Sequence, residues 1–201
     1  MSSIPCDVVM LPSEELAEKA ISASKLLEPY GSLFTLETGK YFPHASLYML
    51  QLKETDLEQV KELLVRIAND FNDLRLNAER FYQAQCYVDV EYGKENQLVR
   101  LQREVVDALN PIRDGMREKD KARMAEATGL ALANFEQYGY KYVSELFRPH
   151  ITFTRLNEEK SDVEAVLPAL SSFDGTFTRI GLFEMGDNGT CIREIASWKL
   201  K

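Results

Sequence analysis

The chain has 201 residues, 45% hydrophobic and 28% charged, which is ordinary for a folded protein and enough for one sizeable core. Twenty-four basic against 32 acidic residues leave a net charge of −8, which argues against gripping long nucleic acid. No apolar run approaches the roughly 20 residues of a membrane span. Met1 to Leu11 lacks a basic stretch followed by a long apolar one, so no secretory signal is expected. Cys6, Cys86 and Cys191 are odd in number and far apart, with no Cys-x-x-Cys pair. They read as free thiols of a cytoplasmic protein and give no zinc signature.

In chain order, Asp7–Leu11 reads as a first or edge strand. Ser13 can cap a helix running to about Leu27, with Glu14 and Glu15 at the positive end of its dipole. Ser32–Glu37 alternates like a strand, and a further strand follows Pro43-His44 to about Leu52. Thr55-x-x-Glu58 has the form of a capping box ahead of Leu57, Val60, Leu64 and Ile67 at helical spacing. Phe71–Phe81 and Ala84–Tyr92 read as two strands, and Leu98, Leu101, Val105, Ala108 and Ile112 as an amphipathic helix. The charged run from Asp114 to Glu126 and the apolar run to Phe135 predict one helix with a solvated first half, ended by Gly139. Tyr138, Tyr140 and Tyr142 then read as an aromatic-rich strand leading into Pro149-His150. Ser161-x-x-Glu164 again has capping-box form, ahead of a second helix, and Asp187-Asn188-Gly189 signals a hairpin before a closing strand from Cys191 to Leu200.

The functional signal lies in the only two histidines, His44 and His150. Each stands in the pattern Pro-His-x-hydroxyl-apolar: Pro43-His44-Ala45-Ser46-Leu47 and Pro149-His150-Ile151-Thr152-Phe153. Serine and threonine make up 21 of 201 residues, so a hydroxyl and then an apolar residue follow one histidine by chance roughly 5% of the time. Two such coincidences fall to roughly 0.2%. On a strand, residues two apart share a face, so His44 would lie beside Ser46 and His150 beside Thr152. Both capping boxes begin 11 residues after a histidine (55 − 44 and 161 − 150), which suggests an internal repeat. Imidazole suits proton transfer near neutrality. Tyr48 and Thr154, each four residues beyond a motif histidine, are expected on the same faces, lining a cleft. Arg148 flanks the second motif as a further cleft candidate.

The two motifs resemble those of the two-histidine phosphoesterase superfamily, which includes bacterial RNA 2′-5′ ligases and 2′,3′-cyclic phosphodiesterases. The resemblance implies an α+β, bilobal fold in one domain over 1–201, with two antiparallel sheets facing a central cleft, outer helices and a pseudo-twofold repeat. The motif halves would span about 32–92 and 140–201, and about 113–139 would be a helical insertion. It also implies hydrolysis of a phosphodiester, without metal or other cofactor. His44 and His150 would be the acid–base pair, and Ser46 and Thr152 would hold the phosphate. The expected partner is a small nucleotide or short oligonucleotide, not long nucleic acid and not a membrane; the oligomeric state is open, with a monomer the default. The rival is a non-catalytic module binding nucleotides in the same cleft.

Overall fold

The computed structural model describes residues 2–201. Strand β1 (Ser3–Pro12) leads to helix α1 (Glu14–Leu26), where Ser13 caps by accepting from the Leu16 amide. Then come β2 (Ala45–Lys53), α2 (Leu57–Asn69), β3 (Leu74–Leu76), β4 (Ala78–Ala84), β5 (Tyr87–Tyr92) and α3 (Asn96–Leu109). Two short helices, α4 (Glu118–Met124) and α5 (Gly129–Tyr138), precede β6 (His150–Arg155), β7 (Gly175–Met185) and β8 (Cys191–Lys199). The strands form two antiparallel sheets, as expected. The larger runs β2-β1-β7, with β3 and β8 sharing the far side of β7, and the smaller runs β4-β5-β6.

Alternation explains the layering. Cys6, Val8 and Met10 of β1 enter the main core, while Val9 and Leu11 join Phe183, Cys191 and Phe42 in a second apolar cluster. Leu98, Leu101 and Val105 of α3 and Val60 and Leu64 of α2 are fully buried beneath the helices, and both helices pack on the large sheet. Helix α1 packs on β6. There the buried Ser24 hydroxyl donates to the Phe153 carbonyl at 2.6 Å and accepts from the Leu36 amide at 2.8 Å.

Several expectations are corrected. β1 is the first strand, as read, and not an edge: it pairs on both sides, with β2 and with β7. Residues 32–37 are not a strand, because their backbone bonds go elsewhere: the Leu33 amide to the Arg155 carbonyl, and the Phe34 carbonyl to the Thr154 hydroxyl. Phe71–Phe81 does not make one strand; β3 pairs in the large sheet and β4 in the small one. Neither capping box forms. A 3₁₀ turn over Glu54–Asp56 moves the N-cap of α2 one residue past Thr55, to Asp56; the Thr55 hydroxyl donates to Asp56, while Glu58 pairs with Lys61. Residues Val163–Val166 and Leu170–Phe173 are 3₁₀ turns, and Pro168 between them cannot continue an α-helix. The 114–139 region is two helices, broken before Gly129, whose φ of +57° no helical residue adopts. Its charged part is not all solvated, since Arg117 and Asp120 are buried and paired. Tyr140 and Tyr142 lie outside any strand, and Tyr138 ends α5. The stretches 32–92 and 140–201 each run through both sheets.

Candidate active site

Both histidines are mounted in the same way. Proline fixes its own φ and drives the preceding residue extended, which lays that residue's carbonyl against the ring two positions on. His44 Nδ1 lies 2.7 Å from the Phe42 carbonyl, and His150 Nδ1 lies 2.6 Å from the Arg148 carbonyl. A carbonyl can only accept, so each Nδ1 carries a proton and each Nε2 is the nitrogen left for proton exchange. The proline in each motif is therefore part of the site.

Each Nε2 also faces a buried carboxylate: His44 is 3.8 Å from Asp7 Oδ2, and His150 is 4.0 Å from Asp89 Oδ2. Asp7 and Asp89 are 0% and 1% exposed. Sequence reasoning missed both; the signal on offer was a carboxylate in an apolar strand pattern, Asp7-Val8-Val9-Met10-Leu11 and, with Glu91 two residues on, Tyr87-Val88-Asp89-Val90-Glu91. Ser46 Oγ donates to Asp7 Oδ2 at 2.6 Å, and Thr152 sits opposite Asp89 in the β5–β6 register.

The two sheets meet at a small cavity lined by His44, Thr152, Phe34, Phe42 and the Asn188–Thr190 turn, among others. It leaves about 10 Å³ for water, room for one molecule. His44 from one motif and Thr152 from the other thus border the same space. Arg155 reaches across from β6 to Asn188 Oδ1 at 3.0 Å. Arg148 lies in the small-sheet half, its guanidinium on Asp89 at 2.7 Å and on Glu91, stacked 4.7 Å from the Tyr82 ring.

The interior of the site is poorly solvated. Burial pushes Asp7 up to about 7, against the hydrogen bond from Ser46 and the charge of Arg117. Burial pushes His44 down to about 4; the Phe42 hydrogen bond opposes this and the nearby His150 adds to it. Asp7, His44 and Cys191 bring one ligand atom each within 4.8 Å of one another. Burial holds the Cys191 thiol far above its ordinary value.

Two cleft candidates are corrected. Tyr48 and Thr154 are fully buried. The Tyr48 hydroxyl donates to the Tyr138 carbonyl at 2.7 Å and to Asn110 at 3.1 Å, because the segment around α5 closes over that end of β2. Thr154 donates to the Phe34 carbonyl at 2.6 Å, under the loop from α1.

A family model described as a protein of unknown function, DUF1045, matches residues 49–181, about two thirds of the chain. The chain belongs to the DUF1045 family. That match takes in the His150 motif and begins just after the His44 motif. A search of curated proteins finds no match. Among solved structures, the DUF1045 chain is similar in fold to E. coli LigT complexed with 3′-AMP, with a TM-score of 0.60 and 15% identity over 100% of this chain and 99% of that one. LigT complexed with phosphate gives 0.57 at 15% identity with the same coverage. A structure described only as a phosphoesterase gives 0.58 at 16% identity, covering 98% of this chain and 99% of that chain. The fold of this DUF1045 chain is thus the α+β fold, with two antiparallel sheets, that LigT also has. Among the described residues, no helix is long and apolar enough to cross a membrane.

Proposed function

We propose that the chain is a metal-independent phosphodiester hydrolase acting on a 2′,3′-cyclic phosphate or a short 2′-linked nucleotide. The observation that carries the reading is the matched mounting of the two imidazoles: each Nδ1 proton goes to the carbonyl before the motif proline, which leaves each Nε2 free. Displacement at phosphorus needs a base for the attacking water and an acid for the leaving oxygen, and two such imidazoles supply both. Ser46 and Thr152 supply hydroxyl donors for the non-bridging oxygens, whose charge redistributes in the transition state. LigT has been solved with phosphate and with 3′-AMP, which fits a phosphate- and nucleotide-sized site in this fold. Arg155 brings positive charge to the small-sheet half, whereas Arg148 is matched by Asp89 and Glu91, so the charge on offer suits a phosphate and not a duplex.

The experiment is hydrolysis of a panel of 2′,3′-cyclic nucleotides, ADP-ribose cyclic phosphate and 2′-5′ dinucleotides, in buffer containing EDTA. Turnover of at least one of these, with one water added per bond broken, is expected. Loss of turnover in EDTA with recovery on adding a divalent ion would overturn the mechanism. Tight nucleotide binding without turnover of any panel member would replace it with the binding module.

A further inference from the structure

Three groups from different parts of the chain meet at His44. Asp7 shares a face of β1 with Val9 and Leu11, and against that face Phe42 and Cys191 of β8 pack. The Phe42 amide donates to the Cys191 carbonyl at 3.3 Å, so the segment whose carbonyl mounts the His44 ring is tied to the cysteine strand. His44 Nε2 lies 3.8 Å from Asp7 Oδ2, and the Cys191 sulfur completes a trio of ligand atoms within 4.8 Å of one another. Asp7 and Cys191 are both 0% exposed. Asp7 Oδ2 accepts from Ser46, but Oδ1 is buried without a hydrogen-bond partner. Buried polar groups are normally hydrogen-bonded, and buried charges are paired or bind metal. Among the described residues, no lysine or arginine pairs with Asp7; Arg117, whose charge reaches it, is held by Asp120 at 2.7 Å. The other half of the site differs. Asp89 Oδ1 is also unpartnered, but the Arg148 guanidinium holds Oδ2 at 2.7 Å, and among the described residues no third ligand joins Asp89 and His150.

We propose that Asp7, His44 and Cys191 form a binding site for a thiophilic divalent cation of the Zn²⁺ class, and that an ion bound there blocks hydrolysis. The binding stands on the cluster alone, whereas the block rests on the hydrolase reading. A thiolate, an imidazole and a carboxylate are ligands that zinc accepts together, and the sulfur selects against Mg²⁺ and Ca²⁺, which prefer oxygen. Tetrahedral zinc holds such atoms about 2.0–2.3 Å away, which sets them about 3.3–3.6 Å from one another. The His44–Asp7 separation of 3.8 Å is near that value, so small side-chain shifts close the trio. The outer contacts also suit a metal: Nδ1 of the ligating ring goes to the Phe42 carbonyl, and Ser46 donates to the ligating carboxylate. The thiol proton leaves to solvent as Sγ bonds the ion, and two anionic ligands then match the dication in a centre of no net charge. The cavity beside His44 has room for one water, the fourth ligand of an open zinc site. An ion on His44 Nε2 occupies the lone pair that proton exchange needs.

The test uses the full chain, stripped with EDTA, desalted and kept reduced by a phosphine, with Co²⁺ as the spectroscopic probe. Saturation at one ion per chain is expected, with a thiolate-to-cobalt charge-transfer band and the strong visible absorption of four-coordinate cobalt. Zn²⁺ should erase both signals and Mg²⁺ neither. Cys191→Ser should remove the charge-transfer band, whereas Cys86→Ser, at the half-buried thiol between β4 and β5, should keep it. His44→Ala should weaken Co²⁺ binding by more than about 100-fold, since losing even a hydrogen-bond partner of a metal ligand costs about 10–100-fold. A wild-type chain without the thiolate band overturns the site, as does a band lost with Cys86→Ser and kept with Cys191→Ser. The wild-type spectrum needs no substitution, so the site is tested even where Cys191→Ser fails to fold. On the best substrate, saturating Zn²⁺ should lower turnover by about 10²-fold or more, the loss of one acid or base, with EDTA restoring the rate. Hydrolysis unchanged by a bound ion overturns the block. A thiolate band without hydrolysis of any substrate counts against the hydrolase reading alone, whereas metal-free hydrolysis without the band counts against the site alone.

Discussion

The β1–β2 half of the site and the β5–β6 half reach similar geometry by different registers. In both pairs the ladder slips by one residue at the apolar position after the motif hydroxyl. Val8 pairs with Tyr48 and Val9 with Ser46, which leaves Leu47 unpaired, while Val88 pairs with Thr154 and Asp89 with Thr152, which leaves Phe153 unpaired. Such a bulge re-aims neighbouring side chains, and here each one lies beside a histidine, a hydroxyl and a buried carboxylate. The carboxylates are not placed alike. Asp89 stands directly opposite Thr152, whereas Asp7 lies two residues before Val9, the partner of Ser46. The mounting of the imidazoles is therefore repeated, but the acidic partner of each was positioned separately, and so was its counter-charge. Shape repeats here and electrostatics does not.

The first way to break this comparison is to remove each imidazole. His44→Ala and His150→Ala are each expected to lower turnover by about 10²–10⁴-fold, the usual contribution of a positioned acid or base. Steady-state rates on the best substrate check this, and near wild-type turnover in either folded variant ends the two-histidine mechanism. The hydroxyls should then separate the halves. Ser46 already donates its proton to Asp7, while Thr152 borders the cavity. Thr152→Val should cost about 10²-fold in kcat, as loss of one transition-state donor does, and Ser46→Ala about 10-fold. A larger loss for Ser46→Ala would show that its proton turns to the phosphate when substrate binds.

The sequence made one part of this site legible and hid another. The motif histidines and hydroxyls were readable because the local pattern, Pro-His-x-Ser/Thr-apolar, sets their geometry without help from the rest of the chain. Asp7 and Asp89 were hidden because their meaning depends on which strand lies alongside, and strand pairing is not a local property. The same division holds for the fold. Ser13 as the cap of α1, the 187–189 hairpin and the apolar faces of α2 and α3 follow from short-range signals. The capping boxes failed because a preceding 3₁₀ turn, or a proline five residues inside, overrode a pattern that is only a preference. Tyr48 and Thr154 failed for a different reason. Alternation gave a face, but not what covers it.

The large-sheet half also sets a pH dependence of stability, somewhat smaller than the kinetic effects. Asp7 is raised from 3.8 to about 7, so between those values the folded chain holds a proton that the unfolded chain releases. Its contribution is complete below about 3.8 and is lost as pH rises through 7. His44 is lowered from 6.5 to about 4, so its contribution is complete above 6.5 and is lost as pH falls through 4. The two slopes oppose each other between about pH 4 and 6.5, and the wild-type pair is expected to be nearly flat there. Asp7→Asn should uncover a stability that rises with pH by up to about 1.4 kcal/mol per unit, and His44→Gln one that falls at a similar rate. Urea unfolding at about pH 4.5 and about pH 6.5 measures both. Parallel behaviour of the three chains would mean that Asp7 and His44 titrate as they do in the unfolded chain.

The smallest effects belong to the hydroxyls four residues beyond each histidine, where the two halves again agree. Tyr48 and Thr154 each send a proton to a backbone carbonyl of a segment that crosses over the strand, Tyr138 in one case and Phe34 in the other. Removing the donor leaves a carbonyl with one partner fewer in a site closed to water, at a cost of about 1–2 kcal/mol. The Phe34 carbonyl depends on a side chain 0% exposed, so Thr154→Val should lie at the upper end of that range. Tyr48→Phe should lie lower, because Asn110 Oδ1, its second acceptor, keeps the Arg113 Nε donor at 2.8 Å. Denaturant midpoints give these costs, and kcat on the same samples should stay within about threefold of wild type, since neither hydroxyl borders the cavity. A tenfold fall in kcat in a variant that keeps its midpoint would put that residue back at the site.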